Sequence, residues 1–190
     1  MNQKCGWAYG HPLLESYHDL EWGVWRANRE HLFEFLMLEG AQAGLSWLSI
    51  LKRRDAYREA FEGFEPDKLA AWTPEREQML LENPGIIRNR AKIASASINA
   101  RAFLRVEEEF NGFNRYLFDQ IGGAPVVHRY HRDQEVPAED ALSQRLSRDL
   151  RRRGFQFVGP VICYSYLQAV GLVMDHLTTC FRYGELSQPG

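Results

Sequence analysis

The sequence predicts an all-α protein. Hydrophobic residues recur at helical spacing through most of the chain, helix-start residues stand before the periodic stretches, and no long alternating Val/Ile/Thr run is present. Leu13 to Asp19 reads as a short helix. Asn28 caps a helix running to about Gly40, with Glu30 in its first turn and the apolar stretch Leu32-Phe33-Glu34-Phe35-Leu36-Met37-Leu38 in its middle. Leu45 to Phe61 reads as one helix, with Leu48, Leu51, Tyr57 and Phe61 roughly on one side. Thr73-Pro74-Glu75 is a helix start: a cap, Pro in the first turn, then an acid. Long helices are expected from about Asn89 to Phe110 and from about Glu139 to Arg152, with Gly122–Pro137 as the clear loop. No sheet is expected.

The chain has 190 residues, enough for one domain or two closely packed lobes. A chain of this size buries about 70% of its unfolded surface, so no disulfide is needed to fold it. No apolar run approaches the ~18 residues of a membrane span, and the start, MNQKCGWAYG, lacks a signal peptide's apolar stretch. The expected compartment is the cytoplasm, where three cysteines point to metal binding or burial. Net charge is −2, so the total does not announce a nucleic-acid binder. Local charge says more: Arg145, Arg148, Arg151, Arg152 and Arg153 stand close together, with smaller groups at Lys52-Arg53-Arg54 and at Arg88, Arg90 and Lys92. Such groups fit phosphate contact, and each alone also fits a solvated helix face.

Three local patterns carry chemistry. In EGAQAGLSW, residues 39–47, Glu39 ends an apolar helix, Gly40, Ala41, Ala43 and Gly44 have almost no side chain, and Trp47 follows. Small residues permit close approach, and a carboxylate beside an indole suits a flat ligand. In LRRRGFQFVGPVICYSYLQAVGL, residues 150–172, a helix ends at Gly154, a short turn follows, and Pro160 opens the next helix. Free N–H groups around Val158 and Gly159 would suit an anion, and with the arginines upstream a DNA phosphate is the expected one; an ordinary α-hairpin fits the segment too. Finally, Cys5 and His18 stand near one end, His176 and Cys180 near the other. His176 and Cys180 are four positions apart, so on a helix they would share a face, and two Cys with two His suit tetrahedral Zn²⁺. Their spacing fits equally well with buried cysteines and satisfied core histidines. A metal held by all four would have no open position and would be structural. Cys163, in an apolar segment, is expected simply to pack.

Together these pieces resemble the bacterial 3-methyladenine DNA glycosylase I family. The matching residues are Cys5-Gly6-Trp7, Tyr17-His18-Asp19, Glu21-Trp22-Gly23, Leu38-Glu39-Gly40, Gln42-Ala43-Gly44-Leu45-Ser46-Trp47, Gly85-Ile86-Ile87-Arg88, Arg153-Gly154-Phe155, Phe157-Val158-Gly159, Ile162-Cys163-Tyr164-Ser165 and Asp175-His176. The resemblance implies a helix-hairpin-helix DNA glycosylase fold over residues 1–190, with a zinc clasp on Cys5, His18, His176 and Cys180 joining the chain ends. It implies a catalytic Glu39, a base pocket of Tyr17, Trp47, Trp7 and Trp22, and DNA contacts at Gly44, Leu45, Val158 and Gly159. Trp25 and Trp72 are expected in the core instead. The implied activity is excision of 3-methyladenine from duplex DNA, by a monomer without a nucleotide cofactor, in the bacterial cytoplasm at the nucleoid. This chain departs from the family pattern at Leu14, often Tyr, and at Met174, often Asn; aligning the histidines also puts Met174, not Asp175, where wider relatives carry a catalytic Asp.

Adenine methylated at N3 is a flat cation, which explains the expected residue types. Stacking on a ring contributes about 0.5–2 kcal/mol and a hydrogen bond to a charged group about 1.5–3 kcal/mol. Two rings and a carboxylate would thus separate cationic from neutral adenine by about 10²–10⁴-fold. Two other classes compete: a non-catalytic DNA-binding module, which needs no pocket acid, and a zinc hydrolase, which needs one of the four ligands off the metal.

Overall fold

The computed structural model describes residues 3–187, and it is built almost wholly of helices. After a 3-10 turn at Gly6–Ala8 come α1 (Pro12–Leu20), α2 (Arg29–Gln42), α3 (Trp47–Leu51), α4 (Arg54–Ala60), α5 (Pro66–Ala70) and α6 (Pro74–Leu80). Then follow α7 (Arg90–Phe110), α8 (Phe113–Ile121), α9 (Ala141–Arg152), α10 (Pro160–Ala169) and α11 (Phe181–Leu186). Both expected caps form: Asn28 Oδ1 accepts from the N–H of His31 and Thr73 Oγ1 from Arg76; Asn89, expected only as a helix start, caps α7 in the same way by accepting from Lys92. α2 is buried on every side from Leu32 to Ala41, which its unbroken apolar run anticipates. It packs against α3, α7, α8 and α10, so whatever lies at its C-terminal end is held from several directions. Buried side chains from Cys5 to Cys180 form one continuous hydrophobic cluster.

Three expectations need correction. His176 and Cys180 share no helix: both lie in the irregular segment between Val173–Met174 and α11, which Cys180 precedes as the cap residue. The stretch from Leu45 to Phe61 is two helices, because Arg53 leaves helical geometry at φ −113°, ψ 1°. Its guanidinium returns to the Ser49 carbonyl, and the break turns Arg54 inward, where its side chain pairs with Glu34 and Glu21. A sheet also exists, though a minimal one. Within the expected loop, β1 (Val126–Val127) pairs in parallel with β2 (Val173–Met174), Val126 opposite Val173 and Val127 opposite Met174. Two residues are too few to show alternation, so the pattern was silent there. The pairing gives Met174 an apolar reason to be where it is: it is buried and its carbonyl accepts from His128 N–H.

Candidate functional site

The C-terminal end of α2 faces a cavity of about 430 Å³ lined by Cys5, Trp7, Tyr17, Trp22, Glu39, Gln42, Trp47, Asp133, Val136, Ser165, Gln168 and Asp175. Rings make its walls. Tyr17 lies 5.3 Å from Trp47 and 6.2 Å from Trp7, and Trp7 meets Trp22 edge-on at 5.0 Å. Beneath Tyr17 and Trp47 lies Phe35, stacked near-parallel to both, with the Arg54 guanidinium over its ring. Glu39 is 4% exposed, and none of the described groups hydrogen-bonds its carboxyl. Burial pushes its pKa up to about 8. Burial also holds the Tyr17 phenol well above its ordinary value, so it stays neutral. The Trp47 indole N–H is buried with no acceptor among the described residues. The lining carries three acids, Glu39, Asp133 and Asp175, and no Lys or Arg among the described residues. That field favours a cation.

Behind the Trp22 wall, Cys5, His18, His176 and Cys180 bring their ligand atoms within 4.8 Å of one another, all four buried. Cys180 Sγ lies 3.4 Å from His18 Nε2 and 3.6 Å from His176 Nδ1, and Cys5 Sγ lies 3.7 Å from His176 Nδ1. A tetrahedral zinc with ordinary Zn–S and Zn–N bonds sets S···N edges at about 3.6 Å, so the cluster has the right size. The outward ring nitrogens are engaged: His18 Nδ1 with Asp19 at 2.8 Å, and His176 Nε2 with the Trp22 carbonyl at 3.0 Å. Such partners fix which nitrogen faces a metal. Sharing a proton with Cys5 holds the Cys180 thiol on the thiolate side and Cys5 on the thiol side.

The other segments singled out lie around the cavity end of α2. Gly44 sits at φ +78° with open space around it, a left-handed conformation that favours glycine, and Leu45 is exposed. In the turn between α9 and α10, the Val158 side chain is buried, and its carbonyl accepts from Ser147 Oγ and Cys163 Sγ. The N–H groups of Val158 and Gly159 have no acceptor among the described residues. Cys163 is packed, as expected. The basic groups divide. Arg54 is buried in its ion pairs and Lys92 is turned onto carbonyls of α2. Arg153 pairs with Glu109 and Asp149. Arg148 and Arg151 make no ion pair among the described residues.

A family model described as methyladenine glycosylase matches residues 7–183. The chain belongs to that family. DNA-3-methyladenine glycosylase 1 of Escherichia coli strain K12 is 43% identical over 181 residues, covering 95% of this chain and 97% of its relative. A crystal structure of 3-methyladenine DNA glycosylase I superposes with a TM-score of 0.91 at 44% identity, covering 94% of this chain and 98% of the other. The Staphylococcus aureus enzyme, whose structure is described as the basis of 3-methyladenine recognition, gives 0.91 at 35% identity, covering 98% and 97%.

In this methyladenine glycosylase the five residues expected at the base pocket, Glu39, Tyr17, Trp47, Trp7 and Trp22, all line the one cavity. Trp25 and Trp72 do not; Trp25 packs on Phe118, and Trp72 donates to Glu62. Leu14 is not among the lining residues. Sequence reasoning missed Asp133, Val136 and Gln168, and left Asp175 without a role. Asp133 arrives from the loop after β1 and accepts from the Gly6 N–H. Asp175 is held by His128 at 2.6 Å, Tyr164 at 2.6 Å and Gln168 at 2.7 Å. Asp175 stands in the matching Asp175-His176 pair, but no local pattern shows what it or Asp133 would touch, since their partners lie from 7 to 127 positions away.

Proposed function

We propose that the protein is a DNA repair glycosylase that extrudes 3-methyladenine from duplex DNA and hydrolyses its N-glycosidic bond, leaving an abasic site. The observation that carries this is Glu39: a buried carboxyl with no protein partner, at the end of an aromatic cavity that has no Lys or Arg in its lining, both among the described residues. A structural acid at this depth would be paired. One held in reserve for a ligand is not. In the free pocket the carboxyl is neutral near pH 7. An arriving cationic purine supplies the missing counter-charge, and the carboxyl ionises as the base seats between the rings of Tyr17, Trp47, Trp7 and Trp22.

Tight binding of the cationic base stabilises the ground state and does not by itself speed cleavage, because the positive charge moves to the sugar as the bond breaks. The substrate supplies part of the acceleration, since a cationic purine already leaves well: the C1′–N9 electron pair passes to the base, and water adds at C1′ and loses a proton. DNA phosphates and a strained extruded geometry favour the oxocarbenium-like sugar. We assign Gly44 and Leu45 to the gap left by the extruded base, and the N–H groups of Val158 and Gly159, in a helix-hairpin-helix, to a phosphate. Extrusion costs a few kcal/mol, less for a damaged base.

We assign Cys5, His18, His176 and Cys180 to a structural Zn²⁺; with four protein ligands it would brace the Trp22 wall and take no part in the reaction. We read residues 1–190 as one domain of two packed lobes, acting as a monomer without a nucleotide cofactor in the bacterial cytoplasm. Among the described residues no helix is long and apolar enough to cross a membrane. The test is release of free 3-methyladenine from methylated duplex DNA by the parent and by Glu39→Gln. Release by the parent and a loss of at least about 10²-fold in kcat/KM in the folded variant support the assignment. Parent-like kcat/KM in Glu39→Gln would remove Glu39 from it.

A further inference from the structure

α7 carries two inward polar side chains on one face that the cavity chemistry does not use. Lys92 Nζ donates to the carbonyls of Ala41 at 2.8 Å and Ala43 at 2.7 Å. These close the C-terminal end of α2, where carbonyls lack amide partners within the helix. Seven positions later, Asn99 is 2% exposed; its Oδ1 accepts from the Gln156 N–H at 2.7 Å and its Nδ2 donates to the Gln156 carbonyl at 3.0 Å. Residues seven apart on a helix share a face and stand about 10 Å apart along its axis. The first clamp therefore holds the segment that runs into Gly44 and Leu45. The second holds the turn that ends in Val158 and Gly159. That turn is already under tension, for Phe157 sits at φ 55°, left-handed for an aromatic residue. It also abuts α2 directly: a Cβ on Gly40 would lie 3.2 Å from Phe157 Cβ.

We propose that Lys92 and Asn99 are positioning residues that fix the Gly44–Leu45 loop and the α9–α10 turn at one spacing along α7, so that a phosphate anchored at the turn places Leu45 against the base stack. The inference rests on the reading above that these two segments meet DNA. An ammonium turned inward onto two carbonyls gives up hydration that a surface lysine keeps, which a merely solubilising residue would not do.

The experiment compares Lys92→Met, which keeps the length and removes the donor, with Lys92→Gln and Lys92→Arg. Three readouts are taken for each: single-turnover release of 3-methyladenine from methylated duplex, the same from methylated single strands, and affinity for free 3-methyladenine by tryptophan fluorescence. In Lys92→Met, release from duplex should fall by at least about tenfold, because a small misplacement of a reacting group is costly. Release from single strands and free-base affinity should stay near the parent values, since neither requires a stack to be opened. Lys92→Gln should be intermediate and Lys92→Arg close to the parent. Equal loss in all three readouts would show a general collapse of the pocket and overturn the proposal, as would unchanged duplex activity. If Lys92→Met does not fold, Lys92→Gln decides by the same pattern. A parent protein that releases nothing from either DNA would instead remove the glycosylase reading, and this inference with it.

Discussion

Glu34 and Glu39 stand five positions apart in the same apolar stretch of α2, and their surroundings are opposite. Five helical steps rotate a side chain by about 140°, so the two leave the helix on different sides. Glu34 meets Arg54 at 2.7 Å and Arg58 at 2.9 Å, while Glu39 faces the cavity without a partner among the described residues. Two predictions belong to Glu39. Its pKa is about 8 in the folded chain against an ordinary 4.5. Across that window the folded chain binds more protons at this position than the unfolded one, so stability falls as pH rises, by up to about 1.4 kcal/mol per unit, and levels off above the folded pKa. Glu39→Gln removes the group, so its Tm should gain on the parent's as pH rises from 5 to 8.5, with about 2–4 °C for each kcal/mol. Thermal melts at three pH values check this; a gap constant with pH would mean a solvated or paired carboxyl. Activity should move the other way. Since kcat/KM reports free-enzyme ionisation, it should climb with pH toward about 8 on methylated DNA, by at most about tenfold per unit. Tyr17, Asp133 and Asp175 line the same cavity, none a cation to pull that value down. A flat profile from pH 6 to 8.5 would contradict the neutral resting state.

Helices with side-chain caps were legible as elements because a cap is a local signal; Asn28, Thr73 and Asn89 each mark a start that the structure keeps. The break between α3 and α4 was not, since what turns the chain there is Arg54 reaching Glu34 across the core. The link from α10 to β2 is a further place where a distant contact decides. Gly171 has φ +79°, and a Cβ there would meet Trp25 N at 2.4 Å and Val24 C at 2.7 Å, both backbone atoms that cannot swing away. Gly171→Ala should therefore destabilise by more than about 2 kcal/mol, combining left-handed strain with displacement of the 23–25 segment. Urea unfolding of the folded variant measures it, and a change under about 0.5 kcal/mol would mean the two segments are free to part.

Across the whole molecule, the four-residue cluster ties residues near both ends of the described chain to the cavity wall, through the Trp22 carbonyl and through Cys5, which lines the cavity itself. A metal that binds only the folded state stabilises by mass action, about 2.7 kcal/mol at a hundredfold excess over its Kd. Stripping zinc with a chelator should thus lower Tm by at least about 5 °C, and returning zinc should restore it. Base release assayed well below the lowered Tm should persist, because a closed four-ligand site has no place for water or substrate. Loss of all activity in a stripped but folded protein would speak for a metal with a direct part in the reaction.

The sequence by itself determined the helical class, the starts of the capped helices, and the clustering of small residues, acid and indole at residues 39–47, because each depends on neighbours within a turn or two. It also determined the resemblance, since the matching motifs span nearly the whole chain. What only the tertiary structure decided is which groups are spoken for. It gave Arg54 to Glu34 and Lys92 to the end of α2, and left Glu39 without a partner among the described residues. It brought Asp133 and Asp175 to the cavity from loops that carry no periodic signal. The physical reason is the same in each case: whether a charge is paired, capped or waiting depends on contacts between residues far apart in the chain, and no local pattern encodes them.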